Sequence, residues 1–234
     1  MSLLALRALQ LEPDLPPVDL AVEAGESVGL VCPDQAFGTR LVRALAGLDT
    51  PHAGAVEVFG VDLAGLERTE RCALRTDFGY VPAEAGVVAN LDFAQNVALP
   101  LRYHGVRTEP ELSGRVERAL DDLGLLPWTT VRAGKTLPAL QKRLAYARAV
   151  ALEPRLLLSE DPSSLLDPQG RSKVARLLKT LPERGTTCLV ADDDVDFIRM
   201  FATRIVLFFG GRIFYDGPVD KMPPLLARTL HFAP

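Results

Sequence analysis

The sequence of 234 residues is poor in lysine, with 5 lysines against 21 arginines, and the first lysine is Lys135. A catalytic or binding role that requires a lysine therefore cannot be filled by any residue before Lys135. Cysteines are also few: Cys32, Cys72 and Cys188 are widely spaced and odd in number, which argues against a disulfide framework and against a zinc site. Reduced thiols of this kind are typical of the cytoplasm.

Long apolar runs and an excess of positive charge are absent as well. No uninterrupted apolar stretch approaches the roughly 18 residues of a membrane helix, so direct insertion into a membrane is not expected. The net charge of −4 argues against non-specific nucleic-acid binding, which favours a basic face. With 48% hydrophobic and 24% charged residues, the chain has the composition of a globular protein with a sizeable core.

Short apolar runs alternate with helical patterns, which predicts an α/β architecture. The apolar start of the chain is interrupted by Arg7 and Glu12 too early for a signal peptide, so a buried strand is predicted there. The other predicted strands are 27–31, 55–59, 78–81, 155–158, 187–191 and 204–209, the last in a hairpin with 210–214. The predicted helices include 41–48, 137–152 and one that ends near Phe201.

The sequence pattern changes between Leu91 and about Trp128. Helical periodicity dominates there, and prolines separate the predicted helical segments. We therefore predict a single unit over residues 1–234 with an inserted part. Its predicted divisions are an α/β core at 1–90 and 150–217, a helical subdomain at about 91–149 and a C-terminal helical tail at 218–234.

The predicted strand, tight loop and helix at 27–48 form the geometry in which backbone amides and a helix N-terminus cradle phosphate. A P-loop of this kind has the pattern G-x-x-x-x-G-K-[ST], in which the lysine reaches the phosphates. Residues 32–41 instead read Cys-Pro-Asp-Gln-Ala-Phe-Gly-Thr-Arg-Leu, with a single glycine at the lysine position. The loop by itself therefore does not satisfy the motif.

Several longer blocks of the sequence, unlike the loop, resemble segments of a known protein family. The blocks are 41–56 after the loop, 78–101, 143–158 and 161–168. They closely resemble the corresponding segments of ATP-binding-cassette (ABC) transporter ATPases: the run after the P-loop, the Q-loop region, the run from the signature motif to the Walker B acid, and the D-loop. The resemblance implies an ABC-type P-loop NTPase core, a mixed sheet flanked by helices, with an inserted helical subdomain. Residues 100–105 resemble, more distantly, the ATPase subunits of Mla-type lipid transporters.

The resemblance also shows departures at the positions that handle nucleotide in this family. The P-loop lysine is replaced by Gly38, whereas Thr39 keeps the hydroxyl that ligates magnesium. Phe37 is predicted to fill the space of the phosphates as part of the core. The Q-loop glutamine is replaced by Ala83, and the switch histidine by Asp193. The other P-loop positions are occupied by Cys32, Gln35 and Arg40.

Further departures affect the signature motif and the acids. The signature reads Leu137, Pro138, Ala139, Leu140 and Gln141. Its serine is replaced by Pro138, which has neither a hydroxyl nor an amide proton. The Walker B acids stand in exchanged order as Glu160 and Asp161, where solvated or hydrogen-bonded carboxylates, and no metal site, are predicted. Residues 192–194 are predicted to form a helix N-cap cluster. The adenine-stacking aromatic of the family has no counterpart, because Phe37 is the first aromatic residue.

Phosphoryl transfer depends on positioned charges and hydrogen-bond donors, and several of them are missing together. We therefore predict a pseudo-ATPase: an inactive ABC-type subunit that scaffolds or regulates a membrane complex for lipid transport. It is expected to require no cofactor and to bind ATP with magnesium at most weakly. Two alternatives stay open: a weak ATPase in which Glu160 and Asp161 exchange roles, and a soluble protein-interaction module derived from a cassette.

The resemblance implies partners as well. In the family, the helical subdomain docks on a membrane permease subunit, and two cassettes pair as a homodimer or a heterodimer. The chain is accordingly expected in the cytoplasm, bound peripherally to the inner face of the cell membrane.

Overall fold

The computed structural model describes residues 2–105 and 108–223. The strands in these stretches are β1 (Leu4–Gln10), β2 (Val18–Val22), β3 (Ser27–Val31), β4 (Ala53–Val58), β5 (Val61–Asp62), β6 (Phe78–Val81), β7 (Leu156–Glu160), β8 (Thr187–Asp192), β9 (Arg204–Phe209) and β10 (Arg212–Pro218). The α-helices are α1 (Gln35–Leu45), α2 (Arg68–Leu74), α3 (Phe93–Tyr103), α4 (Glu109–Asp122), α5 (Pro138–Val150), α6 (Pro168–Thr180) and α7 (Val195–Arg199).

These strands form two sheets. The larger sheet has the order β10-β9-β3-β8-β7-β6, with parallel pairing from β9 to β6 and an antiparallel β10 at its edge. The smaller sheet, β2-β1-β4-β5, is antiparallel. Parallel strands covered on both faces read as continuous apolar runs, which explains the fully buried patterns of β3 and β7. The predicted mixed α/β class is confirmed.

The larger sheet separates two hydrophobic clusters. Successive side chains of a strand point to opposite faces, so Leu157 packs in one cluster while Leu156 and Leu158 pack in the other. Leu144 of α5 packs in the same cluster as Leu157, and Leu41 of α1 packs in the cluster of Leu156 and Leu158. Helices thus cover both faces and hold the carboxyl ends of the parallel strands in fixed positions.

Element boundaries differ from the predictions chiefly where the chain leaves a strand. The predicted strands 27–31 and 78–81 are confirmed. β7 and β8 extend to Glu160 and Asp192, one or more residues beyond the predicted apolar runs. α1 begins at Gln35 and not at 41, because the carboxylate of Asp34 caps its first turn. β2, α2 and α6 were not predicted.

The predicted helical subdomain at about 91–149 contains α3, α4 and most of α5, which contact one another. The division of the chain into a core and a subdomain stays a prediction. Of the predicted helical tail, residues 219–221 form one 3-10 turn, and the part from 224 to 234 lies outside the described residues. No helix in the described stretches is long and apolar enough to cross a membrane.

Candidate functional site

The acidic ends of two neighbouring strands meet beside the start of α1. β7 and β8 are parallel neighbours that end in Glu160 and Asp192. An aspartate follows each strand directly, Asp161 after β7 and Asp193 after β8. Carboxylate oxygens of Asp161, Asp192 and Asp193 lie within 4.8 Å of one another. Such oxygens are the ligands that Mg²⁺ prefers. These three residues are therefore the candidate metal ligands, a group that the sequence analysis did not bring together.

Asp161 has an unusual conformation and an unsatisfied oxygen. Its φ of 38° lies in the left-handed region, which costs a residue other than glycine about 1–3 kcal/mol. Its backbone N–H donates to the carbonyl oxygen of Ala191 at 2.8 Å, whereas its Oδ1 is buried without a hydrogen-bond partner. Buried polar atoms without partners are rare. The Oδ1 atom of Asp161 is therefore available to a cation or to a donor from a ligand.

Asp192 is held in one orientation and is only 3% exposed. The backbone N–H and the hydroxyl of Ser163 donate to it at 2.9 and 2.7 Å, and the N–H of Asp194 donates at 2.8 Å. Burial raises the pKa of Asp192 to about 6, although these hydrogen bonds favour the charged form. Asp194 caps α7 through the N–H of Phe197, so the predicted N-cap role is confirmed for Asp194.

The third acid links this group to the loop after β3. Gln35 Nε2 donates to Asp193 Oδ2 at 3.2 Å. The gap between the acids and α1 is bordered by Cys32, Gly38 and Thr39 and has a volume of about 10 Å³, enough for about one water molecule. The start of α1 is thus packed closely against the acidic group.

The N-terminus of α1 is capped by the chain itself. The carboxylate of Asp34 accepts a hydrogen bond from the N–H of Phe37 at 3.2 Å. The backbone carbonyl oxygen of Asp34 accepts one from the N–H of Gly38 at 3.1 Å, the first hydrogen bond within the helix. Amide groups at a helix N-terminus bind anions when they are open, but these two are engaged within the chain. The carboxylate also repels phosphate. Rotation of the Asp34 side chain would free the N–H of Phe37 for a phosphate group, whereas the N–H of Gly38 stays in the first backbone hydrogen bond of the helix.

Gly38, at the lysine position, is packed against Cys32. A Cβ atom at residue 38 would lie 3.0 Å from the Cβ of Cys32 and 3.4 Å from its Sγ. Burial raises the pKa of the Cys32 thiol, with Asp34 and Asp192 acting in the same direction, so the thiol is unreactive. The glycine at 38 therefore makes room for the cysteine at 32, and the two departures from the P-loop pattern are one packing arrangement.

Phe37 and Arg40 face a different cavity, of about 210 Å³, from which the three acids are absent. The ring of Phe37 contacts that of Phe208 with a centroid distance of 5.3 Å. Arg40 pairs with Glu12, and its Nη2 donates to the carbonyl oxygen of Leu11 at 3.1 Å. Phe37 thus packs, half-buried, against the core at this second cavity, away from the acids. Arg40 is directed to the connection between β1 and β2.

Glu160 is a structural carboxylate in this arrangement. It is 3% exposed and accepts hydrogen bonds from the hydroxyl of Tyr80 and, at 3.2 Å, from the N–H of Ala83. The predicted hydrogen-bonded carboxylate is confirmed for Glu160. Ala83, at the Q-loop glutamine position, contributes its backbone and has no side chain that could reach a metal.

A lysine that the sequence analysis did not single out lies beneath the acids. Lys142 of α5 is fully buried, and its Nζ donates to the carbonyl oxygens of Pro82, Ala83 and Glu160 at 2.7, 3.0 and 2.8 Å. Burial lowers the pKa of Lys142 to about 8, and the neighbouring carboxylates oppose this shift. Lys142 therefore ties α5 to the ends of β6 and β7.

The predicted signature residues lie at the start of α5, away from both cavities. Leu137 is 71% exposed and precedes the first helical residue, Pro138, without a side-chain cap. Gln141 Nε2 donates to the carbonyl oxygens of Ala133 and Thr136 at 3.1 and 3.0 Å. Residues 137–141 border neither the acidic gap nor the cavity of Phe37 in the described part of the chain.

The sequence is similar to a known protein family and to curated proteins of that family. A family model described as "ABC transporter" matches residues 15–164. Methionine import ATP-binding protein MetN of Caulobacter vibrioides is 33% identical over 215 residues, which cover 90% of this chain and 63% of that protein. MetN of Brucella abortus (strain 2308) is 31% identical over 206 residues, which cover 88% of this chain and 56% of that protein. The chain thus spans 56–63% of the length of these curated relatives.

Solved structures show the same fold. The ATP-binding cassette MJ0796, in a dimeric post-hydrolysis state bound to ADP and Pi, has a TM-score of 0.83 at 24% identity, covering 92% of this chain and 98% of that one. CbiO1 from Clostridium perfringens, part of the ABC transporter complex cbiONQ, also has a TM-score of 0.83, at 20% identity over 98% of this chain and 92% of that one. The predicted ABC-type fold is confirmed.

The comparisons overturn the prediction on cofactors. The relatives that match 88–90% of the chain are named ATP-binding proteins. The prediction that no cofactor is required, and that ATP with magnesium binds at most weakly, is therefore wrong. The prediction rested on the motif side chains alone, whereas relatives that match most of the chain are named for ATP binding.

Proposed function

Because the chain belongs to the ABC transporter family, we propose that it is the ATP-binding subunit of a transport complex, and that it binds ATP with magnesium without turning it over. In this role the subunit scaffolds or regulates the complex. The capped N-terminus of α1 supports the absence of turnover. There the Asp34 carboxylate occupies the N–H of Phe37, and Gly38 stands in place of the lysine.

The magnesium end of the ligand fits the acidic group. Asp161, Asp192 and Asp193 offer oxygens within 4.8 Å of one another, and the Oδ1 of Asp161 is buried without a partner. Magnesium, when bound, supplies the positive charge that lets a triphosphate approach these carboxylates. The phosphates gain the N–H of Phe37 as a donor when the Asp34 side chain releases it.

Turnover requires fixed positive charge at the terminal phosphate, and this chain directs its nearby cations elsewhere. Arg40 is paired with Glu12, and Lys142 is engaged by three carbonyl oxygens. The carboxylate of Glu160 is held by Tyr80 and Ala83. Asp161 remains as a proton acceptor, but a proton acceptor alone does not stabilise the charge that develops on the transferred phosphoryl group.

The full chain is expected to be stabilised by Mg-ATP without releasing phosphate. A ligand that binds the native state at 100 times its Kd stabilises it by about 2.7 kcal/mol, so the melting temperature rises by several degrees. Chelation of magnesium should abolish this rise, because the acids then repel the triphosphate. Thermal melting and a phosphate-release assay on the same sample measure both effects.

The variant Asp161→Asn distinguishes this proposal from the weak-ATPase alternative. Phosphate release by the unmodified chain that disappears in Asp161→Asn, and persists in the control Asp196→Asn, would establish a weak ATPase in which Glu160 and Asp161 exchange roles. Asp196 suits the control because it lies on α7 and does not border the acidic gap. The absence of any Mg-ATP effect on melting would contradict nucleotide binding.

The cargo and the partners follow from different observations. The relatives named for methionine import match 88–90% of the chain, whereas the likeness to lipid transporters covers residues 100–105. We therefore propose a small amino-acid-like cargo in preference to a lipid.

A permease subunit and a second cassette are the proposed partners, on the cytoplasmic side of the membrane. Co-purification with a permease from detergent-solubilised membranes tests this, and a soluble partner in its place would favour the interaction module.

A further inference from the structure

Positive charge is concentrated on α6, although the chain as a whole has a net charge of −4. This helix contains Arg171, Lys173, Arg176 and Lys179 and no acidic residue. Arg171 pairs with Asp194, with a distance of 2.6 Å between Nη2 and Oδ2. The other three cations form no ion pair within the described part of the chain. Their charges are therefore available to a partner.

The three unpaired cations lie on one side of the helix. Lys173, Arg176 and Lys179 follow one another at intervals of three residues, and side chains three apart are neighbours on a helix surface. At 1.5 Å per residue, the row that they form is about 9 Å long. Val174 and Leu178 bury the opposite side of α6, so the helix is fixed with these cations directed outward. We call the three residues the α6 stripe.

The α6 stripe differs from an ordinary solvated helix face. Solvated faces usually carry charges of both signs, which pair along the helix. α4 has this pattern: Arg115 lies one turn after Glu111, and its Nη2 is 3.1 Å from Oε1 of that residue. Like charges one turn apart instead destabilise a helix. Negative charge supplied by another molecule would therefore stabilise α6.

We propose that the α6 stripe is a docking surface for an acidic segment of a partner protein. Carboxylates of that segment pair with the three cations of the stripe, and complementary charges of this kind speed the encounter and fix the register of the two surfaces. The stripe does not border the gap between the acids and α1. The inference therefore goes beyond the proposed function and holds whether or not the chain binds Mg-ATP.

Two other anionic partners fit the α6 stripe less well. Helices that bind membranes expose apolar side chains beside their basic ones, whereas Leu177 and Leu178 of α6 are buried. Basic clusters that bind anionic lipids without insertion contain about four to eight lysines and arginines, more than the stripe offers. Nucleic-acid-binding domains are basic as a whole, and this chain is acidic. Protein carboxylates are therefore the partner chemistry that the surface favours.

Fluorescence anisotropy with the full chain at low salt tests the inference. The probe is a labelled helical peptide with glutamates at intervals of three and four residues. The triple variant Lys173→Glu, Arg176→Glu and Lys179→Glu is expected to bind this peptide about tenfold more weakly, because three charge pairs are lost. The triple variant Lys173→Arg, Arg176→Lys and Lys179→Arg keeps the charges, so its Kd should stay within about twofold of that of the unmodified chain.

A matched control separates the α6 stripe from the effect of net charge. Arg75, Arg212 and Lys221 are exposed cations on three different elements, without an ion pair in the described part of the chain. Reversing all three, as Arg75→Glu, Arg212→Glu and Lys221→Glu, changes the net charge as much as reversing the stripe. This control should bind the peptide within about twofold of the unmodified chain. An equal loss in both triple variants would overturn the docking surface.

The remaining outcomes also decide the inference. Failure of the unmodified chain to bind the peptide overturns it and leaves the proposed function standing. Binding to vesicles of phosphatidylcholine and phosphatidylglycerol in equal parts, without binding to the peptide, would assign the stripe to a membrane and overturn the protein partner. If reversal of the three charges prevents folding, the variant Lys173→Gln, Arg176→Gln and Lys179→Gln removes them without adding acids. It is expected to show the same loss of peptide binding.

Discussion

The triple variant Cys32→Gly, Asp34→Ala and Gly38→Lys is expected to bind Mg-ATP about 100-fold more tightly than the unmodified chain. Opposite charges 4 Å apart attract by about 4 kcal/mol at an effective dielectric constant of about 20, and desolvation of the lysine offsets part of this gain. Asp34→Ala contributes by removing a negative charge and freeing the N–H of Phe37, which becomes available to phosphate. Cys32→Gly makes room for the new side chain, whose Cβ would otherwise lie 3.0 Å from that of Cys32.

Calorimetric titration with Mg-ATP measures this effect, and two variants serve as controls. Gly38→Lys alone should lower the melting temperature, because the contact with Cys32 is then unrelieved. Asp62→Ala removes a comparable capping carboxylate, one that accepts the N–H of Ala64 away from the site, and should leave the Kd unchanged. A Kd of the triple variant within twofold of the original value would show that the capped helix is not what limits phosphate binding.

The variant Lys142→Met is expected to lose about 3–5 kcal/mol of the free energy of unfolding, the usual cost of removing one partner from a buried charged arrangement. The substitution leaves the carbonyl oxygens of Pro82, Ala83 and Glu160 buried without their donor. It also removes the positive charge beside the acidic group. Denaturant unfolding measures the loss. Lys179→Met, at an exposed position of α6, is the control and should change stability by less than about 0.5 kcal/mol.

The pH dependence of stability provides a second readout for Lys142. Its pKa in the folded chain, about 8, is lower than the ordinary value of 10.5. Between these values the unfolded state binds the proton and the folded state has released it, so this group makes stability rise with pH across that window. The difference in stability between the unmodified chain and Lys142→Met should therefore grow from pH 8 to pH 10. A loss below about 1 kcal/mol would contradict a stabilising role for Lys142, and a flat difference would contradict its lowered pKa.

The fold was predictable where local patterns decide the structure. β3 and β6 are short apolar runs bounded by polar or turn residues, and both were located to the residue. α1 was predicted six residues too late, because its start depends on Asp34 acting as a cap and not on hydrophobic periodicity. β2 was missed: its residues pair with β1, so its register depends on a partner strand.

The site was predictable only in its separate parts. The sequence shows acids after two apolar runs, but it does not show that β7 and β8 are neighbours in the sheet, and only that adjacency brings Asp161 and Asp192 together. Lys142 lies within the predicted helix 137–152, but its burial follows from how α5 packs against β6. The prediction on cofactors was wrong for a different reason: it rested on altered motif positions, whereas relatives that match 88–90% of the chain are named ATP-binding proteins.

The contact between residues 32 and 38 also has a consequence for how this loop can change by mutation. Any side chain introduced at position 38 places its Cβ 3.0 Å from the Cβ of Cys32, whereas a glycine introduced first at position 32 removes the two atoms that this Cβ would meet first. A stepwise path towards a lysine at 38 therefore passes through position 32 first. A lysine introduced at position 38 alone requires Cys32 to shift, so we expect a change at position 32 to come first.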